Sequence, residues 1–297
     1  MSIKDELIQT YKEGNILTKL ILINGAVFLV LALIYVTLFH CSSTIDPSYY
    51  VSLPAHLGSF YMQPWTIFTY MFVHSNIIHY LCNMLMFYWI GNLFIQFFSE
   101  RDCLNMYIMG GLAGGILYLI CYTAIPVLES TSFYTNLSGA SAAITALAVA
   151  VGIYQPEYQV KMALIGDIKL KWVAISIIVL SLVLIPDGNA GGCISHLGGA
   201  LAGFFFIRQI QKGKNIAEWI GKILDKIQSL LGNKKKWKVA YNKFDTKHST
   251  DGEYNMHRKS QQEELDTLLD KVKRVGFANM TQKEKQRLQE LSKKHSN

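Results

Sequence analysis

Six apolar runs constrain this chain more than any other feature of it. They lie at 17–39, 76–97, 104–125, 139–154, 171–186 and 193–211. A bilayer core about 30 Å thick takes a helix of about 20 mostly apolar residues. The reading is an all-α membrane protein whose six helices bundle together. The fourth and fifth runs are short. The fourth opens at Leu137-Ser138-Gly139-Ala140-Ser141-Ala142, so its first turn is expected below the outer surface, facing a cavity. Irregular backbone at membrane depth needs such shelter. The first run is too long for a signal peptide, lacks a small-residue cleavage site and is followed by more apolar runs, so it is read as a retained helix.

Charge divides the chain in two. Residues 1–207 hold 7 of the 28 Lys and Arg and 10 of the 21 Asp and Glu, which leaves 21 and 11 for residues 208–297. The membrane part is therefore near −3 and the tail near +10. Lys and Arg also fix the expected orientation. Lys4, Lys12 and Lys19 precede or open the first span, Arg101 follows the second, and Lys161, Lys169 and Lys171 follow the fourth. Segments 40–75, 126–138 and 187–192 carry no Lys or Arg. Six spans with both termini in the cytoplasm satisfy every loop, as in a multi-pass protein of a bacterial inner membrane.

Small residues mark helix contacts. Gly110, Gly111, Gly114 and Gly115 form overlapping small-xxx-small pairs, and Gly199 with Gly203 forms another. Such positions let backbones approach where lipid supplies no hydrophobic drive. The five cysteines are scattered, with neither metal-ligand spacing nor a disulfide framework, and are read as packed thiols. No metal or cofactor is expected.

The expected domains are a cytoplasmic N-terminal segment (1–16), the membrane domain (17–211), an amphipathic interfacial helix (212–233), a basic flexible linker (234–259) and a small cytoplasmic helical hairpin (260–297). Ile216, Trp219, Ile220, Ile223, Leu224, Ile227, Leu230 and Leu231 form one apolar stripe, opposite Lys222, Asp225, Lys226 and Gln228. That pattern suits a helix on the inner leaflet. The run Lys234-Lys235-Lys236-Trp237-Lys238 favours anionic lipid. Ser260 with Glu263 and Thr281 with Glu284 read as capping boxes for helices over 261–275 and 282–294, with Gly276 ending the first. The hairpin is read as a protein-contact module. The basic charge adjoins the membrane, so no nucleic-acid partner is expected.

Polar groups at membrane depth are costly, so each is a site hypothesis. Three clusters stand out. The second span opens on His74-Ser75-Asn76-Ile77-Ile78-His79, with Asn83 beyond. His79 and Asn83 are four apart and share a helix face, with His74 about a turn above. The second cluster is Gly139-Ala140-Ser141. It sets a hydroxyl among the unpaired N–H groups and positive dipole of a helix start, where an oxyanion would be stabilised. The third is His196 with Gly199 and Gly203. If those glycines lay the last span against the turn at Gly139–Ser141, His196 would reach Ser141 as a general base. Taken singly, each cluster also reads as helix packing. Together they open their spans from one side, at one depth.

These motifs resemble the rhomboid family. His74/His79/Asn83 match its His-x4-His-x3-Asn, Gly139/Ser141 its Gly-x-Ser, and His196/Gly199/Gly203 its His-x2-Gly-x3-Gly, in the family's order. The resemblance covers 17–211. It implies an intramembrane serine protease with a Ser141–His196 dyad, an oxyanion site from His79, Asn83 and the Ser141 N–H, and transmembrane protein substrates. It also implies that 41–64 forms a first loop packed against the bundle. The chain departs from the family at Trp65-Thr66, where Arg is usual after Trp. It departs again at Ala142, where Gly is common, and at Thr145, where a Tyr often stacks on the catalytic imidazole. The rival readings are a rhomboid-like protein that binds or escorts transmembrane helices, and a transporter, for which no internal repeat is seen. Pro186-Asp187-Gly188 echoes a metalloprotease motif, but the His-Glu-x-x-His partner is missing, so Asp187 is read as a loop residue.

Overall fold

Polar caps set the helix starts. The side chain of Asn15 accepts from the Thr18 N–H, that of Asn76 from His79, that of Ser99 from Asp102, and that of Asn189 from Gly192. Asp102 returns the bond to the Ser99 N–H, closing a capping box. Each cap stands just ahead of a helix on an apolar run. A computed structural model describes residues 3–42, 45–162, 166–185 and 189–230, with Leu268, Lys271, Val272, Lys285 and Leu288.

In chain order the elements are α1 (Ile3–Glu13), α2 (Ile16–His40), β1 (Leu53–Pro54), α3 (Leu57–Met62), α4 (Thr66–Thr69), α5 (Ile77–Phe97), α6 (Glu100–Ala124), α7 (Pro126–Glu129), β2 (Asn136–Leu137), α8 (Ser141–Tyr154), β3 (Gln159–Met162), β4 (Gly166–Lys169), α9 (Leu170–Val183), α10 (Ala190–Ile210) and α11 (Glu218–Leu230). The six apolar runs correspond to α2, α5, α6, α8, α9 and α10. Among the described residues four of these, α2, α5, α6 and α10, are long and apolar enough to cross a membrane. Helices α8 and α9 have 14 residues each, about 21 Å at 1.5 Å per residue. By length alone they fall short of a ~30 Å core.

Helix α10 packs chiefly on α8 and α6, and α8 also meets α5 and α9. Glycines make this closeness possible. A Cβ on Gly198 would lie 2.6 Å from the Ala113 carbonyl oxygen. One on Gly114 would lie 2.6 Å from the Ala142 Cβ and 2.8 Å from the Ser195 carbonyl. The outside of the bundle is apolar, with Leu29, Leu33, Ile78, Leu85 and Val183 exposed, while Asn24, Asn83, Asn105 and Ser195 are buried within. That inversion suits lipid as the surrounding solvent.

The two ends of the bundle differ. At one, Ile16 N–H donates to Glu100 Oε2 (2.8 Å), and Asn215 Nδ2 donates to Asp102 Oδ1 (2.7 Å). Arg101 pairs with Asp225 at 2.5 Å, so the segment after α10 folds back on the start of α6. Ala217 just before α11 and Ile220 within it are buried, Trp219 and Ile223 are exposed, and Lys222 and Lys226 face outward. At the other end, the segment between α2 and α5 pairs with the segment before α8. Leu53 faces Leu137 and Pro54 faces Asn136 in an antiparallel β1–β2 ladder. Tyr70 completes the tie. Its hydroxyl donates to the Gly111 carbonyl (2.6 Å) and its carbonyl accepts from Gly139 N–H (3.0 Å).

Thr66 is fully buried and donates to the Gln63 carbonyl at 2.6 Å. Trp65 Nε1 donates to the Tyr50 carbonyl (2.9 Å) and Thr69 to the Val51 carbonyl (2.7 Å). This loop is thus held by its own main-chain acceptors.

The chain divides into two units, Met1–Tyr241 and Asn242–Asn297. In the second, Leu268, Lys271 and Val272 are helical within 261–275, and Lys285 and Leu288 within 282–294. The Lys234–Lys238 run, the linker to 259, the caps at Ser260, Glu263, Thr281 and Glu284, Gly276, and Asp187 lie outside the described residues.

Candidate active site

The site begins with a glycine that no other residue replaces easily. Gly139 has φ of +121°, outside the range of ordinary side chains. It turns the chain sharply into α8. The same residue has no room for a side chain. A Cβ there would lie 2.8 Å from His79 Nε2 and 3.9 Å from Ser141 Oγ. The imidazole and the hydroxyl therefore border one small space over the face of Gly139. Ser141 is the first residue of α8, and no side chain caps that end. Its first N–H groups and the positive end of the helix dipole are left for another acceptor.

His79 is held from behind. Asn76 caps the N–H of His79, and Ser75 Oγ lies 3.1 Å from its Nδ1. One turn on, Asn83 Nδ2 donates to the His79 carbonyl at 2.9 Å. Asn83 is buried, and its Oδ1 has no hydrogen-bond partner among the described residues. His74, just ahead of α5, stacks edge-on with His79 (5.2 Å between centroids) and Tyr80 (5.5 Å). Both its ring nitrogens are buried. Burial, and secondarily the neighbouring His79, lower its pKa to about 4, so the ring is neutral at ordinary pH.

Helix α10 brings the second histidine. A Cβ on Gly199 would collide with the Ala142 carbonyl, and one on Gly203 with the Ala146 carbonyl. The two backbones meet along that seam, with Ala142 next to Ser141 and His196 a turn before Gly199. Nδ1 of His196 lies 3.1 Å from Ser181 Oγ on α9. Among the described residues no hydrogen bond joins Ser141 Oγ to His196.

His79 and Ser141 thus border the same face of Gly139, Gly199 seats α10 on the start of α8, and His196 lies a turn before that seam. His74 sits behind His79, Gly203 lies a turn further along the seam, and the Asn83 amide is turned onto its own helix. Thr145 is buried. The group touching His196 is Ser181, which sequence reasoning did not single out. Ser176, five residues earlier in the same run, looks no different in sequence, and only the packing of α9 on α10 separates them. Among the described residues, no group of three His, Cys, Asp or Glu is placed to hold a metal ion.

The Rhomboid domain family matches residues 61–211, about half of the chain. A family of unknown function (DUF6576) matches residues 248–294. The chain is also similar to RHOMBOID-like protein 12, mitochondrial, of Arabidopsis thaliana, at 25% identity over 158 residues. That alignment covers 50% of this chain and 47% of the relative, so the chain spans about half the length of the protein it matches.

Proposed function

Since the chain belongs to the rhomboid family, we propose that it is an intramembrane serine endopeptidase acting on transmembrane or membrane-anchored proteins. The observation that carries the reading is the seating of Gly199 on the Ala142 carbonyl, together with His79 over Gly139. It gathers a hydroxyl, two imidazoles and an uncapped helix start at one level of the bundle.

In this reading Ser141 Oγ attacks the scissile carbonyl while His196 takes its proton. The tetrahedral oxyanion is received by the Ser141 N–H, His79 Nε2–H and the second N–H of the Asn83 amide, whose first N–H is held by the His79 carbonyl. Collapse passes the proton from His196 to the leaving amine and leaves an acyl-enzyme on Ser141. Water, deprotonated by His196, then hydrolyses the ester. The missing Ser141–His196 hydrogen bond is compatible with this, because proton-transfer pairs without substrate are commonly loose.

We assign six spans, with α8 crossing inside the bundle and α9 on its outer side. The N-terminus and the basic tail lie on the cytoplasmic side. The contacts among Ile16, Glu100, Asp102 and Asn215 favour this, since they bring the start of α2 and the segment just after α10 to the end away from Ser141. Helix α11, with Trp219 and Ile223 exposed beside Lys222 and Lys226, lies on the inner leaflet. The 248–294 module contacts a protein partner.

The test is cleavage of a model transmembrane substrate in liposomes. Wild type cleaves and is labelled at Ser141 by a fluorophosphonate, whereas Ser141→Ala does neither. Equal cleavage by the two proteins would sink the proposal. Substrate binding without labelling or cleavage would favour a helix-escorting role instead.

A further inference from the structure

The hydrogen bonds of Ser181 bear on the chemistry of His196, and the argument rests on the protease reading above. Ser181 is buried on α9. Its Oγ lies 2.7 Å from the Ile177 carbonyl, one turn back on its own helix, and 3.1 Å from His196 Nδ1. A serine hydroxyl has one proton and two lone pairs, and a carbonyl only accepts. The shorter contact therefore takes the proton. What Ser181 turns toward His196 is a lone pair, and the ring nitrogen facing it must carry hydrogen.

We propose that Ser181 is a positioning residue that holds His196 as the Nδ1–H tautomer, leaving the Nε2 lone pair free to take the Ser141 proton. An imidazole with its hydrogen on the other nitrogen has no lone pair to offer at Nε2. Ser181 thus stands where many serine hydrolases use a carboxylate, and it supplies orientation without a negative charge. When Nε2 takes the proton the ring becomes a cation, and the Nδ1–H···Oγ bond becomes charge-assisted and stronger. The interaction therefore grows along the reaction and acts on kcat in preference to KM.

The experiment uses the full-length protein in detergent micelles with ring-15N histidine. In wild type the His196 resonances report hydrogen on Nδ1, and in Ser181→Ala they report a mixture of tautomers. Ser181→Ala loses about tenfold in kcat and in the rate of fluorophosphonate labelling, with KM unchanged. Ser181→Thr, whose hydroxyl keeps the bond to the carbonyl four residues back, restores both. Hydrogen on Nε2 in the wild-type ring overturns the assignment. So does a Ser181→Ala enzyme with wild-type kcat, or a Ser181→Thr enzyme as slow as Ser181→Ala, since that loss would come from packing. A wild type that neither cleaves nor labels would defeat the protease reading, and the tautomer measurement would still decide the role of Ser181.

Discussion

Gly199 rests against the main-chain carbonyl of Ala142 so closely that no side chain fits between them. The obstacle is backbone, which cannot rotate aside. Even one methyl group must push α10 away from the start of α8, and His196 moves with it.

Gly199→Ala is therefore expected to cost about 1–3 kcal/mol in stability, as overpacking does. Its effect on activity is larger, since a 1 Å displacement of a reacting group can cost about a hundredfold. Thermal unfolding in detergent and cleavage of a transmembrane substrate measure the two separately. Wild-type cleavage would show that the seam does not position the histidine.

Asn83→Ala tests the oxyanion assignment. Removing one such donor typically costs about 10²–10³ in kcat. The variant should keep a measurable rate, because the Ser141 N–H and His79 remain. Single-turnover cleavage reads this directly. A change confined to KM would mean that Asn83 holds substrate and takes no part in stabilising the oxyanion.

At the opposite end, two acidic residues, Asp225 on α11 and Asp102 on α6, should behave differently. Asp225 pairs with Arg101, but its side chain is 46% exposed, and exposed pairs are worth about 0–1 kcal/mol. Asp225→Ala should leave melting and cleavage close to wild type. Asp102 closes the capping box of α6 and accepts from Asn215. Asp102→Ala should cost about 1 kcal/mol, the usual value of a lost cap. A scan of thermal stability across the two variants checks the contrast.

The helices were legible because lipid leaves a simple code. A run of apolar residues is a helix, and Asn15, Asn76, Ser99 and Asn189 mark starts that hydropathy alone leaves blurred. Within the candidate site, the packing of α10 on the turn at Gly139–Ser141 was legible from the spacing of Gly199 and Gly203. Ser181 was not legible, because a serine in a membrane helix usually bonds its own helix and carries no period or motif. Nor was the β1–β2 ladder, only two residues long on each side. The Arg101–Asp225 pair joins residues 124 apart in sequence, a distance at which charge patterning says nothing.

Helix α2 carries a consequence of a different kind. Only 11% of its most apolar window is buried against protein. Asn24 reaches Tyr107 at 3.3 Å, Phe28 stacks on Tyr80 at 5.0 Å, and Ile16, Leu17 and Leu20 lie at its foot. The rest of its surface has hydrocarbon for a neighbour. Most of what keeps α2 upright thus belongs to the membrane, and lipid thickness and composition act on this helix as mutations act on a core.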